Sequence, residues 1–272
     1  MICVSRKHNY VAYKQNRFES TGVTMETMTE ETGLPASVET AWGLRERPSK
    51  GPKPGLSLDR IVAAAVEVAA AEGLAAVSMS RVAGELGASA MSLYRYVASK
   101  DELLALMVDV AVGPPPPASQ PGEDWRPGLS RWGWSYYRAL GRHPWVVRVP
   151  IGGPPTTPNG VAWMEAGLAS LADTGLDEGE KLSVILLLSG YVRNEVTLMA
   201  DLGAAAAASG EVNVSAAWSR LIKRLTDAER YPALHRALAS GALDEDDDPD
   251  EDFGWRLERL LDGVDVLVRG RG

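Results

Sequence analysis

Cysteine is nearly absent. Cys3 is the only one in 272 residues, so no intramolecular disulfide framework can form, and a reducing cytoplasm is the expected setting. Long apolar runs are missing too. None reaches the ~18 residues that span a bilayer, and the first residues lack the apolar core of a secretory signal, so no membrane partner is expected. His8, His143 and His235 are the only histidines. They lie far apart in sequence, and neither a metal site nor any other cofactor is expected. Catalytic signatures are also lacking: there is no P-loop, no HExxH and no defensible pair of carboxylates. GELGASA, Gly84 to Ala90, lies between helices rather than after a strand, so it is not a nucleophile elbow. An enzyme is therefore not expected.

An excess of positive charge is the absence that bears most on function. The net charge is −8, which taken alone argues against a nucleic-acid partner. The charge is unevenly spread, however. Residues 45–112 carry 8 basic and 8 acidic groups, whereas residues 113–272 carry 16 and 23. Any DNA-facing positive charge must then be local. It is available at Arg45, Arg47, Lys50 and Lys53, and again at Arg81, Arg95 and Lys100.

What is present is helical throughout. Hydrophobic residues make up 45% and charged residues 24%, enough for a real core. The stretch Ser78 to Lys100, SMSRVAGELGASAMSLYRYVASK, organises the chain. Met79, Val82, Ala83 and Leu86 follow the i, i+3, i+4, i+7 spacing of one buried helix face. Ser78 suits an N-cap and Gly87 a left-handed helix end. A second short helix is expected over about Ser89 to Val97, with Leu93 and Val97 inward. Its other face shows Ala90, Met91, Ser92, Tyr94, Arg95 and Tyr96, residue types that suit close approach to base edges and phosphates. Two helices across a glycine turn form the helix-turn-helix layout, although spacing alone also fits an ordinary pair of packed helices.

Particular residues at fixed offsets separate the two. Leu86, Gly87, Leu93, Tyr94, Tyr96, Val97, Lys100, Leu103 and Leu104 give a string that resembles the DNA-binding domain of the tetracycline-repressor (TetR) family, from about Leu56 to Gly113. The resemblance implies operator contacts at Ala90, Met91, Ser92, Tyr94, Tyr96 and Lys100, with Ser78 and Ser80 on the preceding helix. In this register Tyr94 and Lys100 position phosphates, Ser92 and Tyr96 reach base edges, and Met91 meets a thymine methyl. Arg95 points sideways, either to a phosphate or to solvent. The tetracycline repressor has an arginine where this chain has Ser80, so the operator is expected to differ.

Around that centre the expected organisation is all-α. Residues 1–44 lack periodicity and read as a disordered leader; Met25 and Met28 are alternative starts. Residues 45–56 form a proline-broken stretch, either a basic arm with Lys50 and Lys53 on DNA or a solvated linker. Residues 57–113 form the helix-turn-helix domain: a Ser57-capped helix to Glu72 with Leu58, Ile61, Val62, Ala65, Val66 and Ala69 inward, the motif, and a Ser99-capped helix to Val112. The run GPPPPASQPGED, Gly113 to Asp124, ends it.

Residues 125–270 read as a larger helical domain, with helices near 125–141, 143–148, 158–173, 178–203, 212–226, 230–240 and 252–269. Leu182 to Val192 is apolar on nearly every face, which predicts a central buried helix. Two late apolar helices, 178–203 and 252–269, suit one core or a homodimer interface; the resemblance favours the homodimer. It extends to RHP at Arg142–Pro144, PNG at Pro158–Gly160 and FGWRLERLLDGVDVLV at Phe253–Val268. The acidic run Asp244 to Asp252 lacks the spaced ligands and central glycine of a calcium loop and reads as a solvated loop. Aromatic rings with interspersed polar groups mark either a plain core or an apolar ligand pocket. The resemblance implies the pocket, with Trp134, Tyr137, Arg138, His143, Trp145, Trp163, Tyr191 and Asn194 as its candidates. The metal-ligating histidine and glutamate of the tetracycline repressor fall at Val149 and Met199, so metal-bound tetracycline is not the expected effector. The overall expectation is a homodimeric repressor on a palindromic double-stranded operator, released by an aromatic or largely apolar small molecule. The alternative is a small-molecule sequestering protein whose fold no longer reads DNA.

Overall fold

A computed structural model describes residues 35–44, 56–117, 123–210, 213–243 and 248–271. Within them, α1 is Ala36–Ala41, α2 Leu58–Glu72, α3 Met79–Glu85, α4 Ala90–Leu93 and α5 Lys100–Val112. These are followed by α6 Trp125–Gly141, a 3-10 turn Pro144–Arg148, α7 Pro158–Ser170 and α8 Glu178–Ser209. The last three are α9 Val214–Leu225, α10 Pro232–Ala239 and α11 Pro249–Arg269. We refer to α2–α5 as the head and α6–α11 as the body.

Serine caps start the head's helices. Ser57, Ser78, Ser89 and Ser99 each accept a backbone N–H from the first turn of α2, α3, α4 and α5, satisfying one donor that a helix start leaves orphaned. The predicted stripe of α2 is buried except for the half-buried Val66; Ala64 and Val68 join it. Between α3 and α4, Gly87 takes φ +63°, which a side chain would strain. α4 is one turn rather than the expected nine residues. Tyr96 N–H already bonds to the Leu93 carbonyl at 2.8 Å, tightening the chain so that Ser99 can cap α5. Leu93 and Val97 nevertheless point inward and are fully buried.

The leader departs from expectation. α1 forms within it, Ser37 and Glu39 are buried, and the Trp42 indole N–H donates to the Thr156 carbonyl at 2.8 Å. A six-residue helix held by distant contacts has no periodicity long enough to read. Residues 1–34 and 45–55, including Lys50 and Lys53, lie outside the described residues, as do 244–247 of the acidic run; the rest of that run is not loop, since Asp248 caps α11 and Pro249 to Asp252 begin it.

In the body, α6, α7, α8 and α11 enclose the core around Leu129, Trp132, Leu188, Phe253 and Leu257. α7 and α8 approach closely at Gly167, where an added Cβ would meet the Ile185 Cδ1 at 2.7 Å. Arg126 joins α6 to α11 through Glu258 at 2.6 Å and Asp262 at 2.7 Å. α8 is longer than expected. An Asp177–Glu180 capping box starts it, and Ala204–Ala208 continue it, alanine being the best helix former, until Gly210. It is not buried on all sides. Val184, Ile185, Leu188, Val192 and Val196 face the core, while Leu182, Leu186, Leu187 and Leu198 are exposed. On α11, Trp255, Val266 and Leu267 are exposed as well. By length and composition α8 could cross a bilayer, but its apolar surplus is divided between an intramolecular core and one open face.

Candidate nucleic-acid interface and effector cleft

The tip of the head presents the motif's outer face. Met91 is 75% exposed and Tyr94 47%. Ala90 and Ser92 are half-buried, and Ser80, Arg95 and Lys100 are exposed. Neither Arg95 nor Lys100 has an ion-pair partner among the described residues. Ser92 Oγ lies 2.8 Å from Ser89 Oγ, and the Ser78 hydroxyl caps α3. Two expected contributors are employed otherwise. The Tyr96 hydroxyl donates to the Leu56 carbonyl at 3.1 Å, so its ring packs inward and holds the entry to α2 rather than reaching a base edge. Arg81 bridges Glu72 at 2.5 Å and Glu85 at 2.6 Å, stapling α2 to α3, and its charge is spent there. The Ser80 and Tyr94 hydroxyls, the Met91 thioether and the Arg95 and Lys100 cations at this tip can offer hydrogen bonds and positive charge to a phosphate backbone and apolar contact to a base edge.

The other end of α5 is bound to the body. Asp109 is buried, and its carboxylate accepts the Gly160 N–H at 3.0 Å and the Asn159 side-chain amide at 3.2 Å. Asn159 also donates to the Asp109 backbone carbonyl at 3.1 Å. The carboxylate therefore sits at the positive start of α7. Arg142 donates to the Val112 carbonyl at 3.2 Å, and the Trp163 indole to the Gly113 carbonyl at 2.9 Å. The sequence reading missed Asp109. The signal was an acid among the apolar residues of MVDVAV, where a helix face is otherwise committed to the core.

Beside this junction an open cleft of about 530 Å³ lies between α6 and α8. Tyr137 and Arg138 line it with Arg142, Pro144, Val196 and Met199, a volume suited to a small organic ligand. Burial, reinforced by Asp250 and Glu195, holds the Tyr137 hydroxyl above its ordinary pKa, so it stays a neutral donor. The structure distributes the other pocket candidates differently. Tyr137, Tyr191 and Trp134 surround Phe253, with ring centroids 4.1, 5.4 and 4.7 Å away. Trp134 and Tyr191 are thus half-buried rings packed against the core through Phe253, outside the cleft lining. Trp163 belongs to the α5 junction. Asn194 is exposed on the outer face of α8, two residues and about 200° of helical turn from the cleft-lining Val196. His143 adjoins Trp145, ring centroids 6.1 Å apart, and the buried Trp145 indole N–H has no hydrogen-bond partner, the one buried donor among these aromatics left unmatched.

A helix-turn-helix head with an exposed polar tip, tied through buried bonds to a helical body with an open cleft, defines a DNA-binding regulator with its own sensing part. The comparisons with known proteins agree. Residues 61–107 match the family described as "Bacterial regulatory proteins, tetR family", and residues 117–268 match "Tetracyclin repressor-like, C-terminal domain". The HTH-type transcriptional repressor DrrR1 of Streptomyces coeruleorubidus is 40% identical over 272 residues, covering 92% of this chain and 93% of that protein. An HTH-type transcriptional regulator of Saccharopolyspora erythraea is 34% identical over 171 residues, 63% of this chain and 70% of the relative. The crystal structure of ActR from Streptomyces coelicolor in complex with actinorhodin superposes with a TM-score of 0.65 and 30% identity, covering 82% of this chain and 100% of ActR. The chain belongs to the TetR family of bacterial transcriptional regulators.

Proposed function

We propose that this protein is a ligand-responsive repressor that binds a palindromic operator as a homodimer and leaves it when a small molecule enters the cleft. The observation that carries the reading is the junction at the end of α5. One helix presents Lys100 toward the DNA-facing tip and is held at its other end by Asn159, Arg142 and Trp163, of which Arg142 lines the cleft. In this reading Met91, Ser92, Tyr94, Arg95 and Lys100 meet DNA, with Lys50 and Lys53 adding charge. Residues 57–113 are the DNA-binding domain and 125–270 the effector-binding and dimerisation domain. The exposed leucines of α8 and the exposed residues of α11 form the pairing surface of a four-helix interface. The work is done in the cytoplasm, by binding and without catalysis.

ActR, solved with actinorhodin and with (S)-DNPA, supports a small organic effector. The test is a gel shift on the DNA upstream of the protein's own gene. A specific, salt-sensitive band is expected; its absence across that region would favour the sequestering alternative.

A further inference from the structure

The cleft holds two arginines without a carboxylate partner among the described residues. The Arg138 guanidinium lies over the Trp134 ring, 5.0 Å from its centroid, and Arg142 reaches only the neutral Val112 carbonyl at 3.2 Å. Arg193 likewise donates to carbonyls, those of Val147 and Val149 at 3.3 and 3.2 Å, so a guanidinium without a carboxylate is not peculiar to the cleft, although many others are paired. Arg126, Arg131, Arg148, Arg256, Arg259 and Arg271 of the body are all ion-paired. Of the acids near it, Glu195 pairs with Arg256 at 2.9 Å and Asp201 with Arg148, while Asp250 acts on the Tyr137 hydroxyl. The two guanidiniums share the cleft with the Tyr137 ring, Val196 and Met199.

We infer that the cleft selects an aromatic ligand bearing a negatively charged oxygen, a carboxylate or an ionised phenol, and that this oxygen takes Arg142 from the Val112 carbonyl. The inference rests on the cleft being the effector site. An oxyanion is the stronger acceptor for a guanidinium, and the two oxygens of a carboxylate also match the arginine fork. The flat apolar walls hold the ring system. Once Arg142 turns to the ligand, the last turn of α5 loses a cation that favours a helix C-terminus. Ligand capture and release of the head's anchoring helix are then one event.

The experiment uses the full-length protein and three probes of one shape: anthracene-2-carboxylate, anthracene-2-carboxamide and 2-(aminomethyl)anthracene. Affinity is read by calorimetry, and retention of upstream DNA by gel shift, for the wild type, Arg138→Met and Arg142→Met. The carboxylate should bind roughly tenfold or more tightly than the amide, the usual advantage of a charged hydrogen bond. Each variant should lose most of that preference, and only the carboxylate should displace DNA from the wild type. Should Arg142→Met fail to fold, the probe series and Arg138→Met decide alone. Equal affinities, a preference for the amine, a preference untouched by the variants, or no binding by any probe would each overturn the inference. If the amide or amine displaces DNA, the effector reading stands while the charge selection falls. If no upstream DNA is bound at all, the repressor reading falls while the calorimetry still reports the charge preference.

Discussion

Replacing Asp109 should cost the fold more than a single surface carboxylate does. In the wild type its carboxylate accepts from the Gly160 N–H and the Asn159 amide, and both donor residues are half-buried. Hydrogen bonds to a charged group contribute roughly 1.5–3 kcal/mol, and a donor left buried without an acceptor costs about 1–3 kcal/mol. The interaction with the start of α7 adds about 0.3–1 kcal/mol. Because the junction is half-exposed around Asn159, we expect a loss of about 2–4 kcal/mol for Asp109→Ala and about 1–2 kcal/mol for Asp109→Asn, which keeps one acceptor. At this chain length each kcal/mol lowers the melting temperature by about 2–4 °C, so the alanine variant should melt roughly 5–15 °C lower. Calorimetric melts of Asp109→Ala, Asn159→Ala and the double variant close a mutant cycle. The two changes should be strongly sub-additive. A melting temperature within a degree of wild type, or fully additive losses, would refute the assignment of this pair as the head-to-body latch.

Tyr94→Ala should weaken operator binding with little change in melting temperature, and Lys100→Ala should also lower the slope of log affinity against log salt by about 1, the loss of one phosphate contact; unchanged affinity in both would remove them from the interface. Leu186→Glu places a charge on the most exposed leucine of α8. Sedimentation should find monomer where the wild type is dimer, and an unchanged dimer would move the interface elsewhere. Hydrogen bonds from Arg81, Arg271 and Arg126 hold the carboxylates of Glu72, Glu180 and Asp262 below their usual pKa. A carboxylate lowered on folding adds stability above its unfolded pKa and loses it as pH falls through the folded one. The melting temperature should therefore drop between about pH 5 and about pH 3, and Asp262→Asn should shallow the drop.

Much of the head was legible because local chemistry decides it. Serine caps, glycine stops and a 3.6-residue stripe act within one turn of the residues that carry them, and α2, α3 and α5 follow from those signals. α4 did not, since its length is set by the i→i+3 bond of Tyr96 and by where Ser99 must stand to cap α5. Residues that meet across long separations were harder to read. Tyr96 looked like a base reader because nothing in its neighbourhood announces Leu56, 40 residues earlier. Trp134 and Tyr191 looked like pocket walls because their common filling, Phe253, is far along the chain. The exposed leucines of α8 were read as core for a related reason: hydrophobicity records that a face avoids water, not whose surface covers it. Tyr137 and Arg138 line the cleft, beside Arg142, which drew notice in sequence only as part of a family signature.

If the junction governs DNA binding as proposed, the geometry of α5 supplies the means. A helix leaves its last carbonyls without intrahelical donors; here those of Val112 and Gly113 are taken by Arg142 and Trp163, and Asn159 adds a second donor to the Asp109 carbonyl that the Gly113 N–H already caps. Those donors come from two separate parts of the body, so a shift of one against another must tilt the helix or break a bond. α5 is 13 residues long, a lever of roughly 20 Å at 1.5 Å per residue. A tilt of about 5° at the anchored end would carry Lys100 by nearly 2 Å, more than the ~0.5 Å range over which an N–H···O bond keeps its strength. In a dimer both tips move in symmetry-related directions, and two displacements of that size are enough to take a pair of heads out of register with operator half-sites roughly 34 Å apart. Loosening one arginine from one carbonyl can in this way be felt at two grooves, with no rearrangement of the core around Phe253.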